Sequence, residues 1–357
     1  MKGKIISAII ALALVGLAAL GYWSASQHRH GEAPAELDPK EIIYEHLGDE
    51  YGWALPFNHS LRIPLPIIVW ADDGFHCFMS SRLADGATYE GLRISTSEDH
   101  NGKVVQVMPD GSEKRPWDFS VTKNVAAIFI AALLVVWMVM SLRRWYARQG
   151  MKAPRRAMGL LELVVDYVYT DTIRPIMGKE APKYAPYLLT AFFFILTMNL
   201  LGLIVIFPGG ANLTGNLAVT MVMAIITFVI TNFTGTREYW KEIFWPEVPV
   251  ALKCPVPMMQ LIEVLGLFTK PLALMIRLFA NMMGGHMVVL VLMLLIFIFS
   301  AMFNYVVGGA TAVFSLFFTV FMLALDTLVS FIQAYVFTIL STIFISMAHV
   351  EPHHHDA

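Results

Sequence analysis

The sequence predicts an all-α polytopic membrane protein with about five spans, the last two long and steeply tilted, behind a small extracytoplasmic N-terminal domain. Three observations carry this prediction. Hydrophobic residues make up 57% of the chain and charged residues only 15%, against roughly 25% charged in an ordinary soluble domain. The mean hydropathy is +0.62. The apolar residues also gather into runs of at least the ~20 residues that cross a bilayer, with basic clusters between them. A net charge of −2 gives no footprint for nucleic acid. The two cysteines, Cys77 and Cys254, fall in segments predicted on opposite sides of the membrane, which argues against a disulfide framework or a cysteine metal site.

Residues 1–26 read as a secretory signal. Lys2 and Lys4 form a basic start, Ile5 to Leu20 a short apolar stretch, and Ser24-Ala25-Ser26 a small-residue cleavage site. The alternative is an uncleaved anchor; either way the chain from about Gln27 starts outside the cytoplasm. Residues 27–115 then form an acidic extracytoplasmic domain, with 15 Asp and Glu against 8 Lys and Arg. Glu36 to Tyr51 has a weak helical period. Leu61 to Trp70 and Gly74 to Met79 read as strands around the turn at Asp72-Asp73-Gly74, and Lys103 to Met108 as a strand before Pro109-Asp110-Gly111. Its histidines, His28, His30, His46, His59, His76 and His100, are scattered and suit surface or packing roles.

The membrane domain is expected over residues 116–350. Thr122 to Leu142 is the first span, and Arg143, Arg144, Arg148, Lys152, Arg155 and Arg156 after it mark a cytoplasmic loop. Met158 to Ile176 mixes apolar and acidic residues at helical spacing, as an interfacial amphipathic helix does. Tyr187 to Phe207 and Leu217 to Asn232 are the next spans, divided by Pro208-Gly209-Gly210. Arg237 and Lys241 return the chain to the positive side, and Phe244 to Val250 reads as an aromatic interfacial turn. Pro255 to Ser300 and Val306 to Ala348 are each too long for one upright crossing, since about 45 residues of helix reach ~68 Å and the hydrocarbon layer is ~30 Å. They must tilt, kink or lie partly in the membrane plane; Pro271 is a candidate kink. The C-terminus, with the tail 351–357, is then cytoplasmic.

The chemistry concentrates in these two last helices. Arg277 stands in the most apolar stretch, and a guanidinium cannot shed its charge. At membrane depth it costs about 3 kcal/mol on insertion scales, and such residues usually face a water-filled route or a counter-charge. Asn281 lies one turn on, near the same face, whereas His286, nine residues on, points roughly opposite. Gly284 and Gly285 allow close helix approach or room for water. In the last helix Asp326 and Gln333, seven apart, share a face. His286 is the natural partner of Asp326, because an imidazole beside a carboxylate can accept and pass protons near neutral pH. Glu263 lies fourteen residues before Arg277 on nearly the same face. Asn199, Asn216 and Thr220, in or at the ends of the second and third spans, each suit an interhelical hydrogen bond; as a set with an Arg, a His and an Asp they read as a polar route into the bilayer.

The stretch Arg277-Leu-Phe-Ala-Asn281-Met, preceded by Lys270-Pro271, resembles the signature of subunit a of the F-type ATP synthase. Asn199-Leu-Leu-Gly202, Asn216-Leu-Ala-Val-Thr220 and Gln333-Ala-Tyr-Val-Phe-Thr-Ile-Leu match other stretches of that family, so the resemblance covers about Lys152 to Val350. It implies a stator subunit of the bacterial inner membrane, with a periplasmic N-terminal domain. Its partners would be a ring of c subunits, the b subunits of the peripheral stalk and the other synthase subunits. Protons would be the cargo and no cofactor would be needed. By resemblance Arg277 is the essential arginine that attracts the deprotonated ring carboxylate and blocks direct leak between two aqueous half-channels. Asn281 and Gln333 match polar positions near it, His286 and Asp326 a coupled pair in the access channel, and Glu263 the cytoplasmic half-channel. In some members the acid is on the first helix and the histidine on the second; here the order is exchanged. At Gly202 some members carry an acid. Residues 27–115 fall outside the common core, as do N-terminal extensions in Bacteroidetes-like members.

Two other readings compete. A stand-alone ion-coupled secondary transporter would show internal repeats, which this sequence lacks. A membrane metalloenzyme would need His-x-x-x-His or cysteine ligand spacing within the spans, and neither is present. The tail His353-His354-His355 suits a solvated end more than a metal site.

Overall fold

A computed structural model describes residues 48–349, apart from 56–57, 98–99, 109, 151, 155–156, 205–209, 245–257 and 303–304. The expected signal, His28, His30, His46, Cys254, most of the Phe244 to Val250 turn and the histidine tail lie outside the described residues, as does most of the Glu36 to Tyr51 period, of which 48–51 are not helical.

The N-terminal part is built of short antiparallel strands: β1 (Gly52–Leu55), β2 (Asn58–Pro64), β3 (Pro66–Ala71), β4 (Gly74–Met79), β5 (Leu92–Ile94), β6 (Val104–Val107), β7 (Glu113–Lys114) and β8 (Trp117–Asp118). They pair as β1-β2, β4-β3-β8 and β5-β6-β7. The predicted hairpin is present, with Ala71 opposite Gly74. Gly74 turns the chain at φ 137°, in a region an L side chain rarely enters. The Asp110 carboxylate accepts from the Ser112 backbone and hydroxyl and forms the second turn, with Gly111 at φ 81°.

Period-two alternation explains the β4-β3-β8 sheet only on one side. Ile67, Val69, Ala71 and Phe78 are buried in a core with Leu83, Leu92 and Val104. The opposite face is apolar as well: Trp70, Phe75, Met79, Trp117 and Phe119 stay exposed, where a solvated antiparallel sheet would carry polar residues. Glu113 is held by Ser95, Arg93 and Ser97, in that order of effect, with its carboxyl pulled down to about 2.

His76 joins the hairpin to the segment before β5. Its Nδ1 lies 2.6 Å from Glu90 Oε2 and its Nε2 3.1 Å from Asp73 Oδ1. The bond to Glu90 is the largest cause, and with Asp73 it outweighs partial desolvation, so the imidazole titrates above its ordinary 6.5. A raised folded-state value stabilises fully below the unfolded value, and that stability is lost as pH rises through the folded one. His76→Ala is therefore expected to loosen residues 72–90 at pH 5.5 and to change little at pH 8.5, as read by hydrogen exchange on the intact protein. Equal loosening at both pH values would rule out the ion pairs as the cause.

The remainder is helical: α1 (Lys123–Gln149), α2 (Ala157–Asp166), a π-helical stretch (Tyr167–Ile173), α3 (Arg174–Met177), α4 (Ala181–Leu203), α5 (Leu217–Thr234), α6 (Arg237–Phe244), α7 (Met258–Met302) and α8 (Tyr305–Met347). Five helical stretches are long and apolar enough to cross a membrane: Lys123–Gln149, Ala157–Leu203, Leu217–Thr234, Gln260–Ile296 and Thr311–Met347. The segment expected as an interfacial helix over Met158 to Ile176 is helical throughout, as α2, the π-helical stretch and α3, and belongs to the longer stretch Ala157–Leu203; in its π-helical part Tyr167 stacks on Tyr335 and Thr172 donates to the Tyr335 hydroxyl.

The strands sit directly on the start of α1. The Thr122 hydroxyl caps the helix by accepting from Val125 N, Lys123 N donates to the Glu50 carbonyl, and Asn124 N donates to the Asp49 carboxylate. Helix α4 is the centre of the membrane part, with Leu188, Phe192, Ile195 and Met198 fully buried. It runs antiparallel to α8, as the contacts Tyr184 with His349 and Phe192 with Phe331 and the bond from Asn199 to the Ser330 carbonyl show. The buried face of α8 mixes the small or hydroxylated residues Ala334, Thr338, Ser341 and Thr342 with Phe337 and Ile345; the small positions let helices approach closely. Helix α5 lies antiparallel to α7, with Asn212 against Met283 at one end and Phe228 stacked on Phe268 at the other.

Candidate functional site

Helices α7 and α8 are joined by two residues and therefore run antiparallel. Two contacts fix their register. Asp326 packs on Gly285, and the Lys270 ammonium lies 5.6 Å from the centre of the Phe344 ring. Counting from Gly285 and Asp326 along each helix brings Arg277 level with Ala334 and its neighbour Gln333. The expected polar residues thus stand at defined depths along one helix pair.

Arg277 is exposed on the outer side of this pair, among the exposed apolar residues Leu272 and Ile276. Among the described residues no carboxylate lies within ion-pair distance of it. Asn281 is half-buried one turn further on. The Gln333 carbonyl oxygen is buried and accepts no hydrogen bond.

About 12 Å along the axis, towards the C-terminal end of α7, lie His286 and Asp326. Gly285 makes room for the carboxylate: a Cβ there would fall 2.8 Å and 2.9 Å from its oxygens. His286 Nε2 approaches α4, where a Cβ on Gly202 would fall 3.6 Å from it. Sequence neighbours 285 and 286 therefore serve two walls, one receiving the acid from α8 and the other presenting the imidazole to α4. In the other direction from Arg277, about 21 Å along α7, Glu263 is half-buried beside α6. Burial first, and the Glu263 charge second, push the Tyr239 phenol of α6 above its ordinary range.

The three remaining residues expected in the path are engaged in structural bonds. Asn199 is buried, accepts from the Thr214 hydroxyl at 2.7 Å and donates to the Ser330 carbonyl at 3.4 Å. Asn216 caps α5 by accepting from Ala218 N at 3.0 Å. The Thr220 hydroxyl donates back to the Leu217 carbonyl at 3.1 Å.

Lys270 enters the sequence reading only as part of the Lys270-Pro271 motif. It stands one heptad after Glu263 and one before Arg277, so the three share a face to within ~20° per step, a spacing visible in the sequence alone. Thr214 and Ser330, which hold Asn199, had no such signal, because their pairing depends on tertiary contact. Among the described residues no group of three His, Cys, Asp or Glu side chains is arranged to hold a metal ion. What the arrangement offers is a fixed cation at an exposed apolar surface, with titratable groups on either side of it along the membrane.

Sequence comparison identifies relatives of the chain. A profile of the ATP synthase A chain family matches residues 125–346, and a domain of unknown function matches residues 42–119. The chain is 40% identical over 245 residues to ATP synthase subunit a 2 of Chlorobaculum tepidum, covering 67% of this chain and 66% of that one. It is 42% identical over 247 residues to ATP synthase subunit a of Myxococcus xanthus, covering 67% and 76%. It is 37% identical over 246 residues to ATP synthase subunit a of Chloroherpeton thalassium, covering 67% and 70%.

Proposed function

The chain belongs to the ATP synthase A chain family, and we propose that it forms the two half-channels that carry protons to and from the carboxylates of a rotating c ring, coupling proton flow to ATP synthesis. The observation that carries this reading is the placement of Arg277. It is an exposed cation on an apolar surface, without an ion pair among the described residues, with His286 and Asp326 on one side along the axis and Glu263 on the other. A membrane arginine is stable only beside a counter-charge or water, and here the counter-charge is the carboxylate of a partner that arrives and leaves. His286 and Asp326 form the access path, Asn281 and Gln333 flank the arginine, and Glu263 ends the cytoplasmic path. Asn199, Asn216 and Thr220 hold the walls of that route through their bonds to Thr214, Ser330 and the start of α5. The N-terminal domain is periplasmic, the C-terminus cytoplasmic, and the b subunits of the peripheral stalk hold the chain against rotation. The basic residues Arg144, Arg148 and Lys152 after the first span favour this orientation.

Arg277 marks the ring-facing surface, and cross-linking tests that. Ala280 is exposed close to Arg277. A cysteine there, in a chain whose Cys77 and Cys254 are serine, is expected to form a disulfide with a cysteine placed next to the ring carboxylate. Failure at Ala280, with cross-links from the exposed face of α1 at Leu133 instead, would reverse the assignment of the ring-facing surface.

A further inference from the structure

Between α5, α6, α7 and α8 lies a cavity of about 20 Å³, which is room for a single water molecule. Its polar wall is made of Thr227, Thr231, Asn232, Tyr239 and Lys270. Three of these already have partners. Thr227 bonds the Tyr187 hydroxyl and the Met223 carbonyl, and Asn232 accepts from Tyr239 while donating to the Phe228 carbonyl. Thr231 differs: it is 7% exposed, and its hydroxyl is buried without a hydrogen-bond partner. Such a group costs about 1–3 kcal/mol unless something satisfies it. Lys270, opposite, meets the Phe344 ring, and that leaves its N–H donors able to bond a small acceptor.

Pro271 adds the fourth element. It sits inside α7 and has no N–H, so the Leu267 carbonyl one turn earlier loses its helical donor. Leu267 and Pro271 both line the cavity. Within a membrane, carbonyls freed in this way are satisfied by hydroxyl side chains or ordered water. An oxygen in this cavity would accept from Lys270 Nζ and donate to the Leu267 carbonyl and the Thr231 hydroxyl oxygen, the two to four partners that a buried water takes.

We propose that this cavity is an ordered-water site and that the water is a station on the proton path between Arg277 and Glu263. The proposal rests on the half-channel reading above and names residues of its cytoplasmic side. Lys270 lies midway between Glu263 and Arg277 on α7, seven residues from each. The transfer leaves no net change at the site: the water oxygen takes a proton from one neighbour and releases another from its other O–H bond.

The test uses ATP-driven proton pumping by the whole complex in inverted membrane vesicles, in a background with Cys77 and Cys254 replaced by serine. Thr231→Ser keeps the hydroxyl and is expected to keep the pumping rate. Thr231→Val keeps the shape and is expected to lower the rate about threefold or more. Thr231→Cys is expected to become sensitive to aqueous silver ion, whereas Val229→Cys, on the exposed side of the same helix, stays indifferent. Pumping by Thr231→Val at the parental rate, or a Thr231→Cys complex untouched by silver, overturns the water station. Arg277→Ala in the same vesicles separates the two levels of failure. If that variant is inactive while Thr231→Val is normal, only the water station falls; if it pumps normally, the half-channel reading falls with it.

Discussion

Arg277→Ala is expected to abolish ATP-driven proton pumping in inverted vesicles while the subunit still assembles. The expected loss is at least about a hundredfold, equivalent to ~2.7 kcal/mol of lost coupling. The structure separates this functional effect from a folding effect. Arg277 is exposed, packs no core and has no ion pair within the described chain. Removing it creates no cavity and strands no partner, and it relieves an insertion cost of about 3 kcal/mol. What is lost is the positive charge on the surface proposed to face the ring, so the deprotonated carboxylate has nothing to attract it and the two half-channels nothing to keep them apart. Arg277→Lys is expected to rescue little. A lysine keeps the charge but replaces a planar, weakly hydrated fork with a compact, strongly hydrated ammonium. Rapid pumping by Arg277→Ala in a complex of normal composition would sink the assignment.

How much of this could be read from the residues depends on the range of the forces involved. The five spans were legible because crossing a bilayer demands length, and the apolar runs supply it. The order of polar positions in α7 was legible because helical periodicity is local: Arg277 with Asn281, and His286 turned away. The hairpin at Asp72-Asp73-Gly74 was legible from its glycine. Two features were not. Pro271 stands inside a helix that runs from Met258 to Met302, and the partners of the backbone around it come from elsewhere in the fold. Leu267 and Pro271 line a cavity whose polar wall comes from α5 and α6 as well as from Lys270 of α7, and no local pattern announces that. The outward face of the β4-β3-β8 sheet is the second. Trp70, Phe75 and Trp117 line up across three strands, and β8 joins β3 across about 50 residues of chain, a pairing that alternation within each strand does not specify.

The second large effect is expected at Asp326. Asp326→Asn keeps the shape of the side chain but cannot give up and regain a proton in the useful range, and coupled flux is expected to fall tenfold or more, in keeping with the loss of a positioned proton-transfer group. His286→Ala should reduce flux in the same way. The glycine next to the histidine supplies a sharper test, because it carries no titratable group. A Cβ on Gly285 would fall within 3.0 Å of three atoms of the Asp326 carboxyl group, and a short aspartate side chain has little freedom to move aside. Gly285→Val should therefore displace the acid and reproduce much of the Asp326→Asn loss, with Gly285→Ala intermediate. Exchanging the pair, as His286→Asp with Asp326→His, should restore part of the flux and not all of it. The new imidazole at 326 is larger than the carboxylate that Gly285 accommodates, and the new carboxylate at 286 is shorter than the imidazole that reaches towards Gly202. Pumping by Asp326→Asn at the parental rate would show that the pair is not a relay. Loss at Asp326→Asn with full activity in Gly285→Val would show that the acid matters but its seat on α7 does not, and the route would then have to run along the outer side of α8.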